Sequence, residues 1–223
     1  MTTYLITGAS RGIGRALMAG ALARGDSVIA TARNPENTNW PEGAEVHALD
    51  VQDQPAHRRL AEVLGTRTID ALICNAGIYL GRGRIGDAAF DTADWQATLM
   101  TNVAGPFFAV EAFLPHLARA KAPRIAIISS QMGSSARAGG GAYIYRASKA
   151  AATNLAVNLA KDLAPQGIAV AAYHPGWVRT DMGTSAAAID VEESITGLLQ
   201  QIDDLSMAES GRFLFYSGEE IPF

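Results

Sequence analysis

Short apolar runs rich in β-branched residues alternate with longer amphipathic segments along almost the whole chain. Runs of the first kind predict strands, and segments with an apolar residue roughly every three or four positions predict helices. This alternation is typical of βαβ units that build one parallel sheet. The predicted strands are Tyr4–Thr7, Ser27–Ala32, Glu45–Leu49, Ala71–Cys74, Arg124–Ser129, Ile168–Tyr173 and Arg212–Phe215. The predicted helices are Ile13–Arg24, Gln54–Leu64, Thr92–Arg119, Ile144–Ala164 and Val191–Asp204.

Two of the predicted strands contain uninterrupted apolar runs, Ile125–Ile128 and Ile168–Ala172. A strand has this pattern when both of its faces are buried, so we expect these two in the middle of a sheet that helices cover on both sides. The pattern therefore predicts an α/β protein with a Rossmann-type, doubly wound parallel sheet of about seven strands, in one domain spanning residues 1–223. In such a sheet ligands bind beyond the carboxyl ends of the strands.

The composition of the chain excludes several classes of function. With 48% hydrophobic and 18% charged residues, the 223-residue chain is typical of a globular domain. Because the net charge is −4 and Lys and Arg are scattered, we expect no nucleic-acid partner. The N-terminus lacks a basic signal region and no apolar stretch approaches the roughly 18 residues of a membrane span, which predicts a cytoplasmic protein without membrane association.

The residues that most often bind metals or form disulfides are few and widely spaced. Cys74 is the single cysteine, so an internal disulfide or a CxxC pair is excluded, and its apolar neighbours predict burial. None of the histidines has metal-ligand spacing, so we expect no metal site. These histidines are His47, His57, His116 and His174.

Three glycines follow the first predicted strand, at Gly8, Gly12 and Gly14, where an amphipathic helix begins. Glycine lets the backbone turn tightly and approach a pyrophosphate, which the free N–H groups and positive end of the helix stabilise. The spacing is G-x-x-x-G-x-G instead of the G-x-G-x-x-G of the dinucleotide fingerprint. An ordinary βα turn would explain one glycine but not three flanked by Thr7 and Ser10, so we predict a dinucleotide-binding loop.

The segment after the second predicted strand, Ala30–Asn34, bears on the choice of cofactor. An acid there would bind the ribose 2′-hydroxyl and disfavour a 2′-phosphate, but the segment contains no acid. Arg33, and Arg11 in the glycine loop, can instead pair with a phosphate. This favours NADP(H), with NAD(H) as the second candidate. After the third strand, Asp50 and Val51 could place a carboxylate beside the adenine, although Asp50 could equally be a helix N-cap.

Tyr145 and Lys149 lie four residues apart in a predicted helix, which places them on one face, one turn from each other. A phenol with a pKa of about 10 is a poor proton source at neutral pH, but a nearby cation such as Lys149 lowers that pKa. This spacing is common on exposed helices. Here it follows a strand ending at Ser129 and Ser130 and a loop rich in Gly and Ser, so we expect the pair at the carboxyl edge of the sheet.

Several short motifs occur in a characteristic order along the chain. They are Thr7-Gly8-x-x-x-Gly12-Ile13-Gly14, Asn75-Ala76-Gly77, Asn102, Ser130, Tyr145-x-x-x-Lys149, and Pro175-Gly176 with Thr180. In order and spacing they resemble the short-chain dehydrogenase/reductase family over nearly the whole chain. Within that family, His174–Gly183 and Arg212–Glu220 look most similar to the C-factor and sniffer-type carbonyl reductases. The resemblance implies an oxidoreductase that transfers hydride between NADP(H) and a small carbonyl or alcohol.

The resemblance also implies roles for individual side chains. Tyr145 would protonate the carbonyl oxygen as the nicotinamide delivers hydride, and Ser130 would hydrogen-bond the same oxygen. Lys149 would lower the pKa of Tyr145 and bind the nicotinamide ribose. Asn102 would hold a water that links Lys149 to solvent. The cofactor contacts, including those predicted above, are Gly8, Ser10, Arg11, Gly12, Ile13, Gly14, Arg33, Asp50, Val51, Asn75, Ala76, Gly77, Tyr145, Lys149, Pro175, Gly176, Val178 and Thr180.

The spacing of the catalytic serine and tyrosine departs slightly from the family pattern. Ser130 and Tyr145 are fifteen residues apart, with additional glycine between them. Ser134 or Tyr143 could therefore compete for the two roles. We favour Ser130 because it ends a strand, and Tyr145 because its lysine follows four residues later.

The substrate side of the site is less constrained by the sequence. The segment between Thr180 and Glu192 is short for a lid, which predicts an open pocket. Apolar side chains that follow strands could line that pocket, or pack in the core, and would suit a hydrophobic carbonyl substrate. They are Tyr79, Leu80, Met132, Trp177 and Met182.

Alternative functions remain open at the level of sequence. One is an NAD-dependent alcohol dehydrogenase of the same fold, and another is a dinucleotide-binding signalling or regulatory protein with little turnover. A dehydratase or epimerase would need additional substrate-domain length. The helix containing Tyr145 and the long helix Thr92–Arg119 could pair with copies of themselves, so we expect a homodimer or homotetramer.

Overall fold

The computed structural model of the protein describes residues 1–87, 90–178 and 189–223. Its seven strands form one parallel sheet in the order β3-β2-β1-β4-β5-β6-β7. The predicted α/β, doubly wound fold is therefore confirmed, and β5 and β6 lie inside the sheet as their apolar runs indicated. The strands are β1 Thr3–Ile6, β2 Ser27–Ala32, β3 Glu45–Ala48, β4 Ala71–Cys74, β5 Arg124–Ile128, β6 Ala169–His174 and β7 Phe213–Phe215.

Helices cover both faces of the sheet because alternate strand residues point to opposite sides. Leu5 and Leu72 contribute to a core beneath α2, α4 and α5, whereas Tyr4 and Ile73 contribute to a second core beneath α1 and α6. The helices are α1 Gly12–Ala23, α2 Gln54–Leu64, α3 Thr92–Leu99, α4 Gly105–Leu117, α5 Tyr143–Leu163 and α6 Val191–Asp204. Short 3-10 turns occupy Pro35–Asn37, Gln131–Gly133 and Ala164–Gln166.

The long helix predicted over Thr92–Arg119 is divided in the structure. A π-helical segment, Met100–Ala104, separates α3 from α4. Pro106 follows closely and has no amide hydrogen, while Gly105 lets the backbone approach Val51, where a Cβ would lie 3.1 Å from the valine Cβ. Insertions of this kind often occur at functional sites, and Asn102 lies in this one.

The same stretch, Thr92–Leu117, is long and apolar enough by length and composition to cross a membrane. This corrects the expectation that no such stretch exists. In the fold, α4 packs against α2 and β4, and 44% of the apolar window is buried inside the protein. A core helix of an α/β protein has these properties, so the segment is weak evidence for a membrane span.

Candidate active site

The glycine loop after β1 is held against the segment after β4. Gly8 and Gly12 have φ angles of 69° and 55°, which side-chain-bearing residues rarely adopt. A Cβ on Gly14 would overlap the Asn75 amide and the Gly8 carbonyl oxygen. Asn75 Nδ2 donates to the carbonyl oxygens of Thr7 and Gly8, each at 3.0 Å. The predicted loop and the Asn75–Gly77 segment therefore form one surface at the carboxyl edge of the sheet.

The first turn of α1 leaves backbone amides available at this surface. The side chain of Arg11, the N-cap residue, makes no capping hydrogen bond to these amides, and Arg11 is exposed. Free N–H groups at a helix start attract anions, and the glycines keep side chains out of the way. The geometry suits a phosphate group.

The segments after β2 and β3 form the far end of the same cleft. Arg33 is exposed at its rim, and Val51 is buried beneath it. The carboxylate of Asp50 accepts from the amide of Gln52 at 3.0 Å, whereas Asp53 is the N-cap of α2. The alternative of Asp50 as a helix cap is therefore wrong, because the N-cap of α2 lies three residues later, at Asp53.

Ser130, Tyr145 and Lys149 converge near the middle of the sheet edge. The Ser130 hydroxyl hydrogen-bonds the Tyr145 phenol, and Lys149 Nζ lies 5.6 Å from the centre of the Tyr145 ring. Nζ donates to the carbonyl oxygen of Ile128 at 2.7 Å, at the end of β5. All three side chains are buried and line the cleft.

The electrostatics of this group differ from the sequence-based expectation. Burial raises the pKa of Tyr145 to about 12, and the hydrogen bond with Ser130 and the charge of Arg82 oppose that rise. Burial lowers the pKa of Lys149 to about 8. We expected Lys149 to lower the pKa of the tyrosine, but desolvation outweighs the charged neighbours because both groups lie below the protein surface. At pH 7 the site therefore holds a neutral phenol and an ammonium group.

Asn102 fixes the backbone of the segment after β4. Its Oδ1 accepts from the amide of Ile78, and its Nδ2 donates to the carbonyl oxygen of Ile78, both at 2.9 Å. Nδ2 also lies 2.9 Å from the hydroxyl of Ser148, one residue before Lys149. The π-helical segment thus connects two sides of the cleft. The predicted water relay through Asn102 stays a prediction.

The competing residues that the sequence left open lie elsewhere. The hydroxyl of Ser134 donates to the carbonyl oxygen of Pro222 and accepts from the amide of Arg137. The ring of Tyr143 packs edge-on against Phe90, with 5.6 Å between their centres. Ser134 therefore holds the C-terminal segment against the loop after β5, while Ser130 and Tyr145 face the cleft.

The segment after β6 closes one end of the cleft. Pro175, Gly176 and Val178 line it, and Gly176 has a φ of 85° and no room for a Cβ beside Ile189. Thr180 and Met182 lie outside the described residues, as does most of the proposed open lid region. Trp177 also lines the cleft and is half exposed.

His174 is a cleft residue to which sequence analysis assigned no role. It is buried, and neither ring nitrogen has a hydrogen-bond partner among the residues that the structure describes. Burial, with the charges of Lys149 and Arg137, lowers its pKa to about 4, so the ring is neutral at pH 7. A buried imidazole without hydrogen-bond partners costs stability, because its polar nitrogens are removed from water. The sequence signal that could have identified His174 as a cleft residue is its position at the carboxyl end of β6.

Together these segments enclose a cleft of about 870 Å³, within the range of small-molecule sites. Of the apolar residues predicted to line a pocket, Tyr79, Leu80, Met132 and Trp177 do so. Within residues 1–87, 90–178 and 189–223, no three His, Cys, Asp or Glu side chains cluster to hold a metal ion. The residues present fit a dinucleotide, because the glycine cradle, where a Cβ would collide, and the exposed arginines face one continuous space.

Comparisons with known proteins place this arrangement in context. Residues 2–189 match the family described as short chain dehydrogenase. The C-signal protein of Myxococcus xanthus is 40% identical over 167 residues, covering 74% of this chain and 99% of the relative.

Two of the solved structures that match the whole chain are carbonyl reductases. The NADPH-bound carbonyl reductase from chicken fatty liver has a TM-score of 0.90 and 31% identity, covering 100% of this chain and 99% of its own. The carbonyl reductase Sniffer of D. melanogaster has a TM-score of 0.92 and 30% identity, with 100% of both chains covered. The similarity to sniffer-type reductases expected from sequence is confirmed.

Proposed function

Because this chain belongs to the short-chain dehydrogenase family, whose members named above include oxidoreductases, we propose that it is an NADP(H)-dependent carbonyl reductase. It transfers hydride between the nicotinamide and a small, apolar aldehyde, ketone or secondary alcohol. The observation that carries the proposal is the convergence of the Ser130 hydroxyl, the Tyr145 phenol and Lys149 in a cleft that continues into the glycine loop.

Different residues of the cleft would bind different parts of the cofactor. Bound NADPH supplies the hydride, which no protein side chain can provide. The glycine loop, with Ser10 and Ile13, would hold the diphosphate on the first turn of α1, and Arg11 and Arg33 would pair with the 2′-phosphate. As the family resemblance implies, Asp50 and Val51 would contact the adenine, Asn75, Ala76 and Gly77 would contact the adenosine ribose, and Pro175, Gly176, Val178 and Thr180 would contact the nicotinamide.

The proton comes from Tyr145. Since burial keeps its pKa near 12, the phenol is protonated at neutral pH and can donate to the carbonyl oxygen of the substrate. Ser130 hydrogen-bonds the same oxygen and stabilises the charge that develops on it. Lys149, charged at pH 7, would bind the nicotinamide ribose and would stabilise the phenolate left after transfer. Asn102 holds the backbone beside them and the water that returns a proton.

A panel of aldehydes and ketones with NADPH tests the proposal, with Tyr145→Phe as the inactive control. We expect NADPH oxidation by the wild-type protein with at least one apolar carbonyl, and a loss of about 10²- to 10⁴-fold in kcat/KM in the variant. NADPH binding, followed by nucleotide fluorescence, should persist in Tyr145→Phe. Equal turnover by the two proteins would contradict the proposed proton donor. A lower KM for NADH than for NADPH would favour the NAD-dependent alternative.

A second candidate is a dinucleotide-binding signalling protein, which the similarity to the M. xanthus C-signal protein favours. This function needs binding without turnover. The same panel separates the two functions, because tight NADPH binding with no oxidation on any carbonyl would support the sensor.

An exposed apolar face supports the proposed homo-oligomer. Leu99, Met100 and Phe107 are each at least one-third exposed along α3, the π-helical segment and α4, and Leu155 of α5 adjoins them. Adjacent apolar residues on one face typically mark an interface. Light scattering should give a dimeric or tetrameric mass that Phe107→Glu reduces.

A further inference from the structure

Three planar groups form a stack at the mouth of the cleft. The rings of Tyr79 and Tyr145 lie 4.2 Å apart between centres and 25° apart between planes. The guanidinium carbon of Arg82 lies 4.4 Å from the centre of the Tyr79 ring. We call these residues the Arg82–Tyr79–Tyr145 stack. Tyr79 and Arg82 belong to the segment after β4, whereas Tyr145 belongs to α5, so the stack joins distant parts of the chain.

We propose that Tyr79 and Arg82 are positioning residues for the proton-donating phenol of Tyr145: Tyr79 fixes its ring and shields it from water, and Arg82 supplies a positive charge that favours release of its proton. The inference rests on the proposed function and names residues that act on the same site. Neither side chain has been assigned a part in the reaction above.

The segment that carries Tyr79 is itself held in place. Asn102 binds both backbone groups of Ile78, the preceding residue, with two hydrogen bonds of 2.9 Å. The backbone that precedes Tyr79 is therefore fixed, and the ring of Tyr79 packs against the ring of Tyr145. An offset, nearly parallel pair of aromatic rings is a favourable arrangement, and a guanidinium group over a ring adds a cation–π attraction. Both interactions restrict where the Tyr145 ring, and hence its hydroxyl, can lie.

The stack also acts on the charge of the phenol after proton transfer. Among the residues that the structure describes, the titratable and charged groups that face Tyr145 are Lys149 from its own helix and Tyr79 and Arg82 from the segment after β4, and the segment after β5 adds the Ser130 hydroxyl. Burial raises the pKa of Tyr145, whereas the charge of Arg82 lowers it. Removing the covering ring and removing the cation should therefore shift the pKa in opposite directions.

The pH dependence of kcat/KM for carbonyl reduction with NADPH tests this. Activity should fall in two steps as pH rises, first as Lys149 loses its proton near pH 8 and later above the pKa of Tyr145, because only the protonated phenol donates. Tyr79→Leu should move the later fall to lower pH, since water reaches the phenol, and should lower kcat about tenfold to a hundredfold as the ring loses its position. Tyr79→Phe, which keeps the ring, should restore most of the rate and the original profile.

Arg82→Gln should move the later fall in activity to higher pH by a few tenths of a unit, and added salt should reduce the difference from wild type. Arg82→Lys should keep most of the wild-type profile. Arg84→Gln is the matched control: it removes the same charge from an exposed residue of the same segment, outside the stack and the cleft.

Each outcome bears on one of the two proposals. Shifts in the same direction for Tyr79→Leu and Arg82→Gln, or equal shifts for Arg82→Gln and Arg84→Gln, would overturn the role of the stack. So would a Tyr79→Leu enzyme with wild-type rate and profile. If turnover needs Tyr145 while these variants are silent, only the stack fails. If the wild-type protein shows no turnover, or turnover survives Tyr145→Phe, the proposed function fails first.

Discussion

A buried tyrosine lies at each end of the sheet, and the two hydroxyl groups have different surroundings. At the amino end, Tyr4 of β1 donates to Asp203 and accepts from Arg24 at 2.8 Å. Asp203 also pairs with Arg24 at 2.9 Å and with Arg124 at 3.4 Å. At the carboxyl end, the hydroxyl of Tyr145 meets Ser130 at the wall of an open cleft.

The two ends differ in how many of their buried polar groups have hydrogen-bond partners within the protein. Around Tyr4, donors and acceptors pair within one network. Around Tyr145, the ammonium of Lys149 donates to the Ile128 carbonyl oxygen with capacity left over, and His174 has no hydrogen-bond partner within the described part of the chain. Unmade hydrogen bonds at a buried site cost stability, and a ligand that completes them recovers it. The amino end thus contributes to stability, and the carboxyl end retains binding capacity.

Lys149→Met should give the largest separation of the two properties. We expect kcat/KM to fall at least about a hundredfold, because the cation beside the phenol and the ribose contact are lost. The unfolding free energy should rise by about 1–3 kcal/mol, since a desolvated charge is replaced by an apolar chain of similar length. Carbonyl reduction and urea unfolding measure the two effects. A variant that is both inactive and less stable would contradict the distinction between the two ends.

Arg33→Ala should affect binding and leave stability unchanged. The KM for NADPH should rise about tenfold or more, because a charge-assisted hydrogen bond to the 2′-phosphate is lost, while the KM for NADH stays the same. Arg58→Ala serves as the control, since Arg58 is exposed on α2 and pairs loosely with Glu111 at 3.6 Å. An equal change for the two cofactors would show that Arg33 does not select the phosphate.

Tyr4→Phe should produce the reverse of the carboxyl-end changes. The loss of two hydrogen bonds within the Asp203 network should lower the unfolding free energy by about 1–2 kcal/mol. The value of kcat/KM should stay within about twofold of wild type, because general acid–base catalysis depends on a side chain at the reacting atoms and Tyr4 lies at the opposite edge. Thermal unfolding and the carbonyl assay, run beside Tyr145→Phe, provide the comparison.

The stability should depend on pH with opposite signs for Lys149 and for the buried tyrosines at the two ends of the sheet. The pKa of Lys149 falls from 10.5 to about 8 on folding, so the unfolded chain binds more protons between those values and stability rises with pH there, by at most about 3 kcal/mol. The pKa values of Tyr4 and Tyr145 are both raised above 10, so the native state binds more protons at higher pH and stability falls. In Lys149→Met the rise above pH 8 should disappear while the later fall remains, as urea midpoints across this range would show.

Sequence patterns predicted the sheet closely because each strand is a local apolar run. All seven strands of the described sheet were placed within one residue of both ends, and β2 and β4 were placed without error. The division of the long helix was missed because inserting one residue into an apolar helix barely disturbs its periodicity. The identity of Pro106 gave a partial signal, since proline weakens helix hydrogen bonding.

The site was predicted less completely because contacts between distant segments are not visible in local patterns. Motif order brought Ser130, Tyr145 and Lys149 to one edge, and the structure places them together. The stack of Tyr79 and Arg82 on Tyr145 depends on how one loop meets one helix. The pKa of Tyr145 is raised because many neighbouring residues bury the phenol. The four-residue spacing between Tyr145 and Lys149 gives no information about that burial.

The π-helical segment Met100–Ala104 contains one residue more per turn than the helices on either side. Each helical residue advances the chain by about 100° around the axis, so this extra residue sets the rotational phase between α3 and α4. Asn102 can then turn toward Ile78 while α4 keeps its apolar face on the sheet. Deleting a single residue here would break either the packing of α4 on the sheet or the hydrogen bonds of Asn102 to the loop after β4. The segment should therefore tolerate changes in length far less than substitutions.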